Sequence, residues 1–135
     1  MVTVLSVVTI PRVAVAMQPQ PEKIVITKII ENCKVPKLTL QEMKRLAKYI
    51  AKKEIKAIYK SQKEWNALHE LWMRESRWDY TAKNPKSSAF GIPQILKMKH
   101  DTPMVKQIDL GIKYIKHRYG TPTRALAFHN RNNWY

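Results

Sequence analysis

From residue 39 onward the apolar positions recur at helical intervals. Leu40, Met43, Ala47, Ile50, Ile55 and Ile58 mark one face, and Lys44, Lys48, Lys52, Lys53 and Lys56 cover the other. Thr39 and Glu42 stand three apart, the spacing of a capping box, in which each residue satisfies a backbone N–H of the other. The pattern predicts an amphipathic basic helix over 39–60. Ser61 and Glu64 repeat the box, so a second helix is predicted from there to about Arg74, with Trp65, Leu68 and Trp72 as its buried stripe. Residues 79–102 are rich in Asn, Pro and Ser and read as loop with a short strand. Thr102-Pro103 has the form of an N-cap followed by proline at the first helical position. Met104, Ile108, Ile112, Ile115 and Tyr119 then share a face, and Gly120 offers a stop. Thr121-Pro122 repeats the start signal for a last short helix from Arg124 to about Asn130. The fold class is mainly α.

The N-terminal part follows a different pattern. Residues 1–16, MVTVLSVVTIPRVAVA, are apolar and end Ala14-Val15-Ala16, a small-x-small pattern like a signal-peptidase site. The start lacks Lys or Arg, Pro11-Arg12 interrupts the run, and the stretch is too short for a comfortable membrane span, which needs about 20 residues. It reads as a leader or signal peptide, which points to a secreted or periplasmic protein. Residues 17–38 hold Pro19, Pro21 and Pro36 around the apolar run Ile24–Ile30 and read as a linker. The predicted organisation is thus leader 1–16, linker 17–38, basic helix 39–60 and a helical domain 61–135.

Composition narrows the partners. The chain of 135 residues has 25 Lys plus Arg against 10 Asp plus Glu, a formal net charge of +15. Such a charge attracts polyanions: nucleic acid, anionic membrane or anionic wall polymer. The basic residues are spread, with no recognised basic-aromatic motif and no single recognition helix, which argues against nucleic acid. Only three glycines occur, too few turn-formers for an all-β fold. Cys33 is the single cysteine, so no internal disulfide forms, and no Cys/His spacing matches a zinc site. Neither metal nor organic cofactor is expected, and the expected state is a monomer.

Glu75 is the residue that points to chemistry. It continues the stripe Trp65, Leu68, Trp72 at helical steps, so a persisting helix aims its carboxyl where the indoles point. A carboxyl beside aromatic surface loses hydration, which disfavours the charged form and raises the pKa. An acid still protonated near neutral pH can protonate a leaving oxygen, as glycosidic cleavage requires. The competing reading is an ion pair with Arg74 or Arg77, which would lower the same pKa.

The stretch Leu71-Trp72-Met73-Arg74-Glu75-Ser76-Arg77-Trp78 resembles the Glu-Ser motif of the soluble lytic transglycosylase family. Gly91-Ile92-Pro93-Gln94 is similar to that family's second motif, and Arg118-Tyr119-Gly120-Thr121-Pro122 to the turn before its third. Ala125-Leu126-Ala127-Phe128-His129-Asn130 and the closing Trp134-Tyr135 resemble the ending of phage and Gram-positive members. The resemblance spans about residues 65–135. It implies a lysozyme-like helical fold and an enzyme cleaving the bond between N-acetylmuramic acid and N-acetylglucosamine in peptidoglycan without water. It implies Glu75 as catalytic acid and base, Ser76 orienting it or touching substrate, Gly91 permitting a close turn and Gln94 bonding sugar. The third motif departs from the usual Ala-Tyr-Asn. Phe128 lacks the hydroxyl, Asn130 is displaced by one, His129 stands as the replacement, and Tyr114 or Tyr119 could return a phenol to the cleft.

Three other readings compete. A hydrolase of lysozyme type needs a second carboxylate, for which Asp79 and Asp101 are the candidates downstream. A basic nucleic-acid-binding module would account for the charge. A non-catalytic glycan-binding relative would not need Glu75.

Overall fold

The computed structural model describes residues 37–135; the leader 1–16, the apolar run Ile24–Ile30, Cys33 and most of the linker lie outside them. The described residues are mainly helical. Helices α1 (Leu40–Tyr59) and α2 (Gln62–Glu75) come first, then a hairpin of β1 (Ala89–Phe90) and β2 (Ile95–Leu96), then α3 (Met104–Tyr119) and α4 (Pro122–Asn132). The hairpin is antiparallel, with Ala89 opposite Leu96 and Phe90 opposite Ile95. None of these helices is long and apolar enough to cross a membrane.

The start signals act as local chemistry dictates, with two instructive departures. Thr39 caps α1 in a complete box: its hydroxyl accepts the Glu42 N–H at 3.3 Å, and Glu42 accepts the Thr39 N–H at 2.8 Å. At α2 the box is only half formed. Ser61 accepts the Glu64 N–H, but Glu64 Oε2 accepts the Thr123 N–H of α4 at 2.8 Å. That carboxylate therefore supplies negative charge at the N-terminus of α4, where the helix dipole favours it. Helix α4 is capped by Thr121 with Pro122 as its first residue. Helix α3 departs from expectation: its N-cap is Pro103, without a side-chain cap, and Thr102 is not the cap. The Thr102 carbonyl is instead engaged by the side-chain amide of Gln107.

Helix α2 lies chiefly against α4, α1 packs on both α2 and α3, and α3 also meets α4. Ala47, Ala51 and Ile55 bring α1 into the same core as Leu68, Leu71 and Trp72 of α2 and Ile108, Ile112 and Ile115 of α3. The division drawn at residue 61 thus falls between two helices that share one core. The apolar face of α1 is narrower than predicted. Leu40 and Ile58, at its two ends, remain 43% and 44% exposed, while Tyr59 beside Ile58 packs on the core and donates its hydroxyl to the Gly120 carbonyl at 2.8 Å.

Gly111 sets how closely α3 approaches. A Cβ there would lie 2.6 Å from Cζ2 of Trp72 and 2.7 Å from Cβ of Pro93, so the bare backbone of α3 touches two rigid rings. Gly111→Ala gains roughly 1 kcal/mol of helix propensity, but overpacking a rigid core costs about 1–3 kcal/mol. The expected outcome is net destabilisation of up to about 2 kcal/mol in denaturant unfolding. Equal or greater stability would show that the contact is slack.

Candidate active site

Glu75 is the last residue of α2. Beyond it the chain reverses through two left-handed residues, Arg77 at φ 53° and Trp78 at φ 63°. Each such residue costs roughly 1–2 kcal/mol. The turn returns Trp78 to full burial, its ring 5.2 Å from that of Trp72 and 5.8 Å from that of Trp65. Burying an indole offsets the strain. Glu75 is left at the negative end of the helix dipole, beside an aromatic wall.

The Glu75 side chain is 17% exposed. Burial pushes its carboxyl up to about 7. His129 of α4 faces it, Nε2 standing 3.2 Å from Oε1. Burial lowers the His129 pKa, and the nearby Arg74 charge lowers it further. Both groups are therefore driven toward their neutral forms. Neither arginine forms the ion pair that would have made Glu75 structural: Arg74 reaches Glu70 and the Asn130 side-chain oxygen, and Arg77 is exposed.

Glu75 opens into a cleft of about 210 Å³ shared with Asn84, Gln94, Leu96, Trp134 and Tyr135. The Tyr135 phenol bridges two walls. It donates to the Pro93 carbonyl at 2.7 Å and accepts the Trp72 indole N–H at 3.1 Å. Burial, seconded by the charge of Glu75, raises its pKa, so it remains a neutral donor.

The second motif meets the cleft at Gln94. Gly91 has φ 78°, and a Cβ there would sit 2.2 Å from Gln107 Oε1, so turn and close approach both require glycine. Gln94 lines the cleft, but its amide N–H groups donate to the carbonyls of Ala82 and Gly91 at 3.1 and 2.8 Å. What it offers to the cleft is its acceptor oxygen. Ser76 does not touch the Glu75 carboxyl. Its hydroxyl donates to the Ile92 carbonyl at 2.8 Å and so ties the end of α2 to the second motif.

Three expected site residues stand elsewhere. Tyr114 lies in a neighbouring groove, where its hydroxyl accepts from Arg118. Phe128 packs between the rings of Tyr119 and Trp134 at 5.4 and 4.8 Å. Asn130 is exposed and accepts from Arg74. The phenol that reaches the cleft is that of Tyr135, and Asn84, Asn133 and Trp134 join it. The sequence offered one signal for these residues, the aromatic pair at positions 134 and 135. Of the two alternative acids, Asp79 is held by the backbone N–H and hydroxyl of Thr81 at 2.8 and 2.7 Å, and Asp101 lies in the neighbouring groove. No group of three or more metal-ligating side chains occurs among the described residues.

The Glu75 shift has a thermodynamic consequence with a definite sign. A carboxyl raised from 4.5 to about 7 binds its proton more tightly when folded. Its contribution is therefore full below pH 4.5 and is lost as the pH climbs toward 7. Glu75→Gln removes this ionisation. Relative to wild type it should gain roughly 3 kcal/mol across that window and show a flat difference outside it. Chemical denaturation from pH 4 to 8 measures this, and a pH-independent difference would mean the carboxyl is solvated.

No family model, curated protein or solved structure matches the chain.

Proposed function

We propose that the protein is a peptidoglycan lytic transglycosylase acting at the cell wall, with Glu75 as its catalytic acid and base. The observation that carries this reading is a single acidic side chain in the cleft, at a helix end, kept protonated near neutral pH by burial. Its proton passes to the oxygen joining N-acetylmuramic acid to N-acetylglucosamine, and the bond from C1 to that oxygen breaks. The substrate's own acetamido oxygen bonds C1 as the leaving sugar departs. The Glu75 carboxylate then takes the proton of the muramoyl 6-hydroxyl, whose oxygen attacks C1 and displaces the acetamido oxygen. The 1,6-anhydro ring closes, Glu75 is protonated again, and no water is consumed. One protein carboxylate suffices because the substrate supplies the nucleophile.

The same feature weighs against a hydrolase, which would need a second carboxylate across the cleft. Asp79 is fixed by Thr81, and Asp101 does not line the cleft. A nucleic-acid-binding role would leave the desolvated Glu75 without a use. The charge of +15 suits a substrate bearing carboxylates and wall polymers bearing phosphates.

Digestion of purified peptidoglycan with mass analysis should give anhydro-muropeptides, each one water lighter than a reducing-end product. Glu75→Gln should lose at least about 100-fold in rate while keeping its fold. Reducing-end products would replace this reading with hydrolysis. The rate should also fall as the pH rises past about 7, where Glu75 gives up its proton. A flat profile to pH 9 would exclude Glu75 as the acid.

A further inference from the structure

A second concavity, of about 800 Å³, runs between the hairpin and α3. It adjoins the Glu75 cleft at Leu96, which lines both and is 64% exposed. Its floor is apolar, made by Ile95, Met98 and Leu110, and its rim carries Lys97, Lys99, Lys106 and Lys113. Asp109 engages two of these, Lys106 at 2.9 Å and Lys113 at 2.8 Å. Lys97 and Lys99 make no ion pair among the described residues, and both are exposed. Asp101 is the one acidic side chain lining the groove. The unmatched charge is therefore positive and sits beside the hairpin end next to Leu96.

We infer that this groove is a binding site for the carboxylate-bearing peptide arm of the substrate, an assignment that rests on the peptidoglycan reading. Two observations choose this occupant. The groove continues the cleft, so it receives whatever is attached to the sugar held against Glu75. Its chemistry matches a chain of small apolar residues with free carboxylates: apolar contact below, ammonium groups at the edge. A bare sugar chain has the opposite character. Its hydroxyls would lie on an apolar floor without partners, and the lysines would face no anion. The groove thereby makes the enzyme selective for strands that still carry their peptides.

The test uses the full chain carrying Glu75→Gln, so that binding is measured without turnover. Calorimetry compares a soluble tetrasaccharide of alternating N-acetylglucosamine and N-acetylmuramic acid with the same sugar bearing tetrapeptide arms. The peptide-bearing form should bind about tenfold more tightly. Adding Lys97→Glu and Lys99→Glu should remove that difference while leaving the bare sugar's affinity unchanged. Lys99→Glu alone should remove part of it, and guards against loss of folding in the double substitution. Equal affinity for the two ligands, a preference that survives charge reversal, or binding of neither overturns the assignment. Anhydro products from wild type together with equal affinities would sink the groove and leave the catalytic reading standing. A peptide preference without anhydro products would do the reverse.

Discussion

The side-chain amide of Gln107 is the constraint on which the site depends. It is fully buried on α3 and makes three hydrogen bonds. Its N–H groups donate to the carbonyls of Tyr80 and Thr102 at 2.9 Å each, and its oxygen accepts the Ile92 N–H at 3.0 Å. These partners lie at the start, middle and end of a long connection that contains only four strand residues. Backbone groups buried in such a segment need partners, and each one left unpaired costs about 1–3 kcal/mol. One amide satisfies three of them, which is why a connection with so little regular structure holds one shape. Gly91 belongs to the same knot, since any side chain there would displace the amide.

From that knot the geometry passes outward to Glu75. Fixing Ile92 fixes its carbonyl, which receives the Ser76 hydroxyl, and Ser76 directly follows Glu75. Fixing Pro93 fixes the carbonyl that receives the Tyr135 phenol, which also engages the Trp72 indole. The second motif, the tail and the end of α2 are thus joined by hydrogen bonds around one carboxyl. These bonds replace water next to Glu75, and the loss of water raises its pKa. The residues named by the motif act here through positioning: Ser76, Gly91 and much of Gln94 bond to the protein.

The helices were legible in the sequence because caps and apolar stripes are local. Thr39, Ser61 and Thr121 each mark a start within three residues of the groups they satisfy, and the stripe from Trp65 to Glu75 needs only the helical period. Most of what the pattern does not show is long-range. Glu64 left its own cap for Thr123, because an N–H 59 residues away was the better partner. Gln107 broke the apolar stripe of α3 and gave no sign of being buried, since its partners are backbone atoms of another segment. The sequence offers Tyr114 or Tyr119 as a phenol for the cleft, whereas the tyrosine that lines it is Tyr135, beyond the last helix. Asn130 adjoins His129 in sequence yet faces outward, because consecutive helical residues point about 100° apart.

The pairing of Glu75 with His129 fixes where the acid proton resides. Ionising both would require burying a carboxylate and an imidazolium, each at a desolvation cost of several kcal/mol. It would also place a proton on His129 Nδ1, which is buried without a hydrogen-bond partner. An unpaired buried donor costs a further ~1–3 kcal/mol, comparable to what a charge-assisted hydrogen bond returns, so the neutral pair wins. The partnerless Nδ1 then selects the tautomer. With the imidazole proton on Nε2, the N–H lies beside Glu75 Oε1, 3.2 Å away, and Nδ1 is left as an empty acceptor. Oε1 is thereby held as the carbonyl oxygen, and the acid proton belongs on Oε2. His129 thereby distinguishes the two carboxyl oxygens, and the one free of the histidine carries the proton.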